Sequence, residues 1–276
     1  MKSDTPLRWT ILRDGALPGV ANMARDAALA RLVSVGVARA DPPAAFLRFY
    51  AWARPTLSFG RNEPARARFD PGALAEAGVD AVRRSTGGRV VLHDREVTYA
   101  VVVPARALGG PRETYRRIHA ALARGLAAMG AEIALAEDAP AARPDAGPCF
   151  DLPAGGEVTA RGRKLVGSAQ ARIGGALLQH GSILLADDQG RIAELARGSV
   201  PPAGAVPGDA PARAISLAEI LGSPPGFTEV VDALLRAFRA ELPGEWTEAV
   251  AARCAFEAEA SEGASAFDDP AWTWRR

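Results

Sequence analysis

Strand-like and helix-like stretches alternate along this chain without a regular βαβ rhythm, and that irregularity constrains the fold most. Trp9–Arg13, Phe46–Trp52 and Thr56–Phe59 read as strands. Leu17–Val35 reads as a helix with Val20, Met23, Ala27 and Leu32 on or near one face. Asp70-Pro71 is a helix start, an acid at the cap and a proline in the first turn, and Gly78 ends that helix. Three strand-like stretches follow: Ala81–Arg84, Arg89–Leu92 and Val97–Val103. A long amphipathic helix then runs from about Glu113 to Met129, with Ile118, Leu122 and Leu126 as its core line. Val158–Ala171 and Ala176–Leu185 read as two strands joined at Gly174-Gly175, a hairpin signal. Helices over Leu217–Leu221, Thr228–Leu242 and about Thr247–Ala260 make a helical C-terminal part, 215–276. A mixed, largely antiparallel sheet flanked by helices fits this order better than a doubly wound parallel sheet.

Two stretches interrupt the pattern. Glu137–Gly156 is rich in Pro, Gly, Ala and Asp and reads as a loop, and Gly198–Pro211 reads as a flexible linker. With no internal repeat and no firm boundary, 1–276 is read as one α/β domain.

Charge excludes several functions. The 33 basic residues are balanced by 32 acidic ones, which gives no case for a polyanion-binding surface. Aromatic residues make up 6% of the chain, too few to suggest base-stacking platforms. No apolar stretch approaches the roughly 18 residues of a membrane span, and Met1–Pro6 carries no signal-peptide pattern. The two cysteines, Cys149 and Cys254, are too far apart for a disulfide framework or a metal cluster. A soluble, reduced, cytoplasmic protein is expected, with no metal site and no nucleic-acid or membrane partner.

Only two of the basic residues are lysines, Lys2 and Lys164. A chain that writes nearly every cation as arginine has kept one internal lysine, a compact ammonium that can give up its proton. Lys164 follows Cys149 by fifteen residues. An ammonium beside a thiol favours thiolate, the form that acts as a nucleophile. A surface lysine and a buried, inert cysteine fit the same counts. Cys149 lies on a Pro/Gly-rich loop, where reactive groups tend to sit. Cys254 lies in an Ala-rich helical stretch and reads as a small hydrophobe.

Two further blocks carry candidate chemistry. In Arg83–Asp94, two arginines precede a Gly87-Gly88 turn and a strand that leads to His93-Asp94. Glycines allow close backbone approach, and arginines donate to phosphate or carbonyl oxygens. A hairpin turn with exposed arginines fits equally. In Gly162–Ser182, the small residues Gly167, Ser168 and Ala169 imply close packing against a ligand or another backbone. His180 is a candidate acid or base there, or a core histidine satisfied by a carbonyl.

Taken together, these blocks resemble the lipoate-protein ligase A / biotin ligase / octanoyltransferase superfamily, over most of the chain from about Asn22 to Leu185. The chain is most similar to the LipM type of octanoyltransferase. There an Arg-Arg-x-Thr-Gly-Gly-Arg block is followed by His-Asp, and a Cys-Phe precedes Gly-Arg-Lys. This chain has Arg83-Arg84-Ser85-Thr86-Gly87-Gly88-Arg89, His93-Asp94, Cys149-Phe150 and Gly162-Arg163-Lys164. The resemblance implies a catalytic domain of the biotin/lipoate ligase type. It also implies that an octanoyl group passes from octanoyl-acyl carrier protein to Cys149, with Lys164 lowering the thiol's pKa. A lysine of a lipoyl-domain protein, a glycine cleavage H protein or a dehydrogenase E2 subunit, would then take the group as an amide. Arg84, Gly87, Gly88, Arg89, His93, Gly167, Ser168 and His180 would form the substrate site.

No cofactor is expected for such transfer. The alternative is an ATP-dependent lipoate-protein ligase, with ATP and Mg as its requirements. Those ligases carry a third glycine where this chain has Arg89, need no loop cysteine, and often have an extra C-terminal domain. A non-catalytic lipoyl-domain binder would be expected to lack the cysteine or the lysine, and both are present.

Overall fold

The computed structural model describes residues 6–36, 42–136, 150, 155–197, 214–248 and 253–275. Cys149, most of the loop around it, the 198–211 stretch and the side chain of Cys254 lie outside the described residues. In chain order the elements are β1 (Leu7–Leu17), α1 (Gly19–Gly36), β2 (Ala44–Trp52), β3 (Thr56–Phe59), α2 (Ala65–Arg68) and α3 (Pro71–Glu76). Next come β4 (Asp80–Arg83), β5 (Val91–His93), β6 (Glu96–Pro104), α4 (Pro111–Ala127), β7 (Ala134–Leu135), β8 (Val158–Ala160) and β9 (Arg163–Lys164). The rest are β10 (Val166–Ile173), β11 (Ala176–Leu184), α5 (Arg191–Leu195), α6 (Leu217–Leu221), α7 (Phe227–Glu241), β12 (Gly244–Glu248), α8 (Arg253–Asp268) and α9 (Pro270–Thr273).

The main sheet has six strands in the order β10-β11-β6-β2-β1-β12. From β10 through β11 and β6 to β2 each pairing is antiparallel, while β1 is parallel to both β2 and β12. The sheet is therefore mixed and mostly antiparallel, as the sequence order predicts. Two three-stranded sheets, β4-β3-β5 and β7-β8-β9, stand beside it.

Both faces of the main sheet are covered, and the side-chain alternation of its strands shows how. On β6, Val97, Tyr99, Val101 and Val103 join a core with Ile118, Leu122 and Leu126 of α4 and Val230, Leu234 and Phe238 of α7. Between them, Ala100 and Val102 face the opposite core, with Met23, Ala27 and Leu29 of α1 and Phe256 and Ala260 of α8. Helix α1 is packed between the sheet and α8, so it buries Asn22 and Asp26 together with its apolar residues. No described helix is long and apolar enough to cross a membrane.

Several local expectations hold. Asp70 caps α3, its carboxylate accepting from Ala73 N at 3.0 Å. The Gly174-Gly175 turn joins β10 to β11, with Ile173 paired to Ala176.

Others are corrected. The stretch read as one strand from Val158 to Ala171 is three. Arg161 (φ 50°) and Gly162 (φ 71°) turn the chain back, so Ala160 pairs with Arg163 in a hairpin. Positive φ at both central residues suits the twist of a two-residue hairpin. Strand β5 begins at Val91, two residues later than read. The C-terminal part is not wholly helical. Thr247 belongs to β12, which adds in parallel to β1, and the helix starts at Arg253. Trp246 stacks on Trp9 with centroids 4.6 Å apart, a pairing of residues far apart in sequence that local periodicity does not reveal.

Arg83 ties the C-terminal end to the site region. Arg83 is fully buried at the end of β4 and donates to the carbonyls of Gly60 (2.6 Å), Glu63 (2.9 Å), Trp272, Thr273 and Arg275 (each 3.0 Å). Charged donors to buried carbonyls contribute about 1.5–3 kcal/mol each before ordering costs. Arg83→Met is expected to lower unfolding free energy by at least about 3 kcal/mol, because it strands several buried carbonyls. Urea denaturation checks this, and a loss below about 1 kcal/mol would contradict it.

Candidate active site

The strand register sets the site's polar floor. Ala169, His180, Ala100 and Arg48 are paired in one row across β10, β11, β6 and β2. Directly paired residues share a face, so His180 and Arg48 flank the methyl of Ala100. Asp26 of α1 meets both: Arg48 Nη1 lies 2.7 Å from its Oδ1, and His180 Nδ1 2.8 Å from its Oδ2. Tyr50 donates its hydroxyl to the same Oδ2 at 2.9 Å. The rest of the Arg48 fork reaches Asp14 at 2.7 Å and Asn22 Oδ1 at 2.8 Å. Burial on its own would raise the Asp26 carboxyl, but the Arg48 guanidinium and the His180 hydrogen bond outweigh it and hold the carboxyl below its ordinary range.

His180 carries this network into the glycine loop, because its Nε2 lies 2.7 Å from Thr86 Oγ1. Arg84 clamps the loop from the other side. It donates to the carbonyls of Ser58 (2.6 Å), Gly87 (3.1 Å) and Arg89 (2.9 Å) and to Ser58 Oγ at 2.6 Å. Gly60 packs against the loop so closely that a Cβ there would lie 1.9 Å from the Gly88 carbonyl oxygen. The arginines at this turn are thus buried loop anchors and not exposed.

His93 is stacked on Trp52 with centroids 3.9 Å apart. Its Nε2 lies 2.5 Å from Ser58 Oγ and its Nδ1 2.8 Å from Glu96 Oε1. Burial pushes the His93 imidazole below its ordinary pKa, against the pull of Glu96. The Ser58–His93–Glu96 connectivity imitates a serine-nucleophile triad. Ser58 is fully buried, however, and is not among the residues that line the cavity, so this trio holds the wall and offers no nucleophile.

A cavity open at its mouth lies between these groups, with about 370 Å³ of empty space counted out into the solvent. Met23, Tyr50, Trp52 and Val91 give it apolar walls. Of the residues the sequence nominates, Arg84, Gly88, His93, Gly167, Ser168 and His180 line it. Gly87 and Arg89 contribute carbonyls to the Arg84 clamp and are not among the lining residues.

Lys164 stands on the neighbouring β9. It is buried, its Nζ lies 2.7 Å from Glu157 Oε1, and it sits 5.4 Å from the centroid of Phe150. Phe150, the residue after Cys149 in sequence, packs with Leu184, Ala214 and the cavity residue Val91. Lys164 is thus linked through Phe150 to the cavity wall.

Sequence reasoning missed Asp26, Arg48, Glu96, His119 and Glu157. A charge in the middle of the apolar run Phe46-Leu47-Arg48-Phe49-Tyr50 was the one signal for Arg48. His119 lies on the buried line of α4, its Nδ1 2.6 Å from the Gly156 carbonyl and its Nε2 2.9 Å from Ser168 Oγ. Burial drops its pKa from 6.5 to about 4, the Gly156 carbonyl pulling upward and the Lys164 ammonium adding to the drop.

Comparison with known proteins bears on this site. Residues 18–239 match the family model described as the lipoyl protein ligase A/B catalytic domain. The chain is 39% identical over 254 residues to octanoyltransferase LipM of Symbiobacterium thermophilum, which covers 87% of this chain and 90% of that one. It is 40% identical over 253 residues to the LipM of Kyrpidia tusciae, with the same coverage. A 44% match to the LipM of Moorella thermoacetica spans 182 residues, 64% of this chain and 65% of that one. Among solved structures, protein Ta0514 of T. acidophilum with bound lipoic acid superposes with a TM-score of 0.75 at 21% identity, over 98% of this chain and 99% of that one. A lipoate-protein ligase A bound with ATP gives 0.73 at 20% identity, over 98% of each. The two structural matches bear on the fold alone.

Two predictions follow from the buried charges. Arg48→Met leaves Asp26 without its arginine and Asp14 with Arg25 alone, and is expected to cost about 3–5 kcal/mol of stability by urea denaturation. A cost under about 1 kcal/mol would show that the carboxylates do not depend on it.

The second concerns acid. The unfolded chain binds a proton at His119 near 6.5, while the folded chain refuses it until about 4. Acidification through that window therefore favours unfolding, and stability rises again as pH rises. The His119 contribution to that loss is about 3 kcal/mol. His119→Gln should show a correspondingly smaller drop in urea midpoint between pH 7.5 and 4.5. An unchanged drop would place the titrating group elsewhere.

Proposed function

Because the chain belongs to the lipoyl protein ligase A/B catalytic-domain family, we propose that it is an octanoyltransferase of lipoate biosynthesis, moving an octanoyl group to a lipoyl-domain lysine through a thioester on Cys149. The observation that carries this reading is the likeness to LipM octanoyltransferases over most of the chain. The retained pair of Cys149 and the lone internal lysine supports it.

In the first step the Cys149 thiolate attacks the thioester carbonyl of octanoyl-acyl carrier protein. A C–S bond to the enzyme forms, and the carrier's thiolate leaves and takes up a proton. Exchange of one thioester for another is nearly isoenergetic, so the step needs no ATP. In the second step a neutral lysine amine of the lipoyl-domain protein attacks the octanoyl-enzyme. The C–N bond forms, the C–S bond breaks, and the amine's proton returns to the Cys149 thiolate directly or through solvent. Formation of the amide drives the sequence.

The residues present suit an acyl chain. Met23, Trp52 and Val91 offer apolar wall, and each methylene removed from water contributes about 0.8 kcal/mol. Lys164 is the ammonium to hold the thioester end, its charge kept in place by Glu157. The Arg84 clamp and the His180–Thr86 bond give the glycine loop a fixed shape before substrate arrives.

Intact-protein mass spectrometry after mixing with octanoyl-acyl carrier protein, without ATP, tests the reading. A hydroxylamine-sensitive octanoyl adduct that Cys149→Ala abolishes is expected. Acyl-adenylate formed only with ATP and free acid would instead make the protein a ligase. Lys164→Arg should lower turnover by at least about tenfold, since a planar fork does not replace an ammonium at one point. Wild-type turnover in that variant would remove the role given to Lys164.

A further inference from the structure

His119 is a buried titratable group beside the site to which the transfer reading gives no role. The rest of the buried face of α4 is Thr114, Ile118, Ala121, Leu122, Gly125 and Leu126. An imidazole there must be desolvated, and a polar group in such a position is retained only with its hydrogen bonds made. Both ring nitrogens of His119 are in fact engaged.

The bonding fixes the tautomer. A carbonyl only accepts, so Nδ1, 2.6 Å from Gly156 O, carries the proton. Nε2 is then left with a lone pair and accepts the Ser168 hydroxyl proton at 2.9 Å. Ser168 Oγ in turn accepts from the Tyr99 hydroxyl at 2.7 Å, and Tyr99 accepts from Gln179 Nε2 at 3.0 Å. The donors all point one way, from the sheet through Ser168 and His119 to the Gly156 carbonyl. The low pKa keeps the ring neutral, which this arrangement requires.

Gly156 is the residue before Glu157, and Glu157 holds the Lys164 ammonium at 2.7 Å. The Gly156 peptide is tied at its other end as well, its N–H donating to Ala136 O at 2.9 Å. We infer that His119 is a positioning residue of the acyl-transfer site, fixing through the Gly156 carbonyl the place where Glu157 holds Lys164. Ser168, which lines the cavity, joins this brace to the substrate wall. The inference rests on the transferase reading for its activity arm only.

Asparagine presents an N–H close to where histidine Nδ1 stands, and leucine presents none. Rates respond steeply to misplacement of about an ångström, on the order of a hundredfold. His119→Leu is therefore expected to lower kcat by about ten- to a hundredfold with KM little changed, and His119→Asn to recover most of it. The second readout needs no activity. With only two lysines in the chain, selective isotope labelling of lysine gives two side-chain signals in NMR. The Lys164 signal should move in His119→Leu and stay near its wild-type position in His119→Asn. Should wild-type protein fail to transfer octanoyl groups, the transferase reading falls, while the lysine signal still tests the brace. A Lys164 signal unmoved in His119→Leu, or equally displaced in both variants, overturns the inference. If His119→Leu does not fold, 15N-histidine spectra of the wild-type protein serve in its place. A neutral ring with the proton on Nδ1 is expected; a proton on Nε2, which would leave Nδ1 unable to donate to the Gly156 carbonyl, overturns the inference.

Discussion

A guanidinium without solvent access, held between two carboxylates, organises the interior of this molecule. Arg48 projects from the middle of β2 with Asp14 on one side and Asp26 on the other. The Asp26 carboxylate would be costly to keep charged at that depth alone, and Arg48 could not be buried without its acidic partners. Asp26 is then able to anchor His180 and Tyr50, and His180 reaches Thr86 in the glycine loop. A chain of polar contacts thus runs from β1, β2 and α1 to the loop that walls the cavity. Single truncations within it should be costly, since each leaves a buried partner unsatisfied.

Around this polar spine the cavity is made by subtraction. Gly167 and Ala169 leave room beside the sheet edge, while Tyr50, Trp52 and His93 close the far walls. Lys164 is carried separately, on a hairpin whose tight turn at Arg161-Gly162 sets Lys164 opposite Thr159. The lining of the cavity and the ammonium therefore come from different sheets. Phe150 and the Ser168–His119 contacts are what connect them.

Much of this was legible in the sequence. The mixed sheet, the Gly174-Gly175 hairpin and the Asp70 cap follow from local residue patterns, and the grouping of Arg84, Gly88, His93, Gly167, Ser168 and His180 from the family resemblance. What stayed hidden depends on contacts distant in sequence. Strand β12 exists because Trp246 finds Trp9, and Gly244–Glu248 alone carries no alternation strong enough to announce it. Asp26 looks like an ordinary surface charge, and Arg48 only like a charge out of place in an apolar run, until the fold brings them together. Arg84 looked like a ligand for substrate oxygens, whereas its donors are aimed at the chain's own carbonyls. His119 sits at a helical spacing that reads as core, and only tertiary structure shows a carbonyl and a hydroxyl at its two nitrogens.

The central claim is that the cavity beside Gly88 and Ser168 receives an acyl chain whose thioester end lies toward Lys164. A crystal structure of the protein after octanoylation tests it most directly. The account predicts continuous density from Cys149 into the space between Met23, Tyr50, Trp52 and Val91, with the Arg48–Asp26–His180 contacts unchanged. An octanoyl chain lying outside that space, with the cavity unfilled, would contradict it.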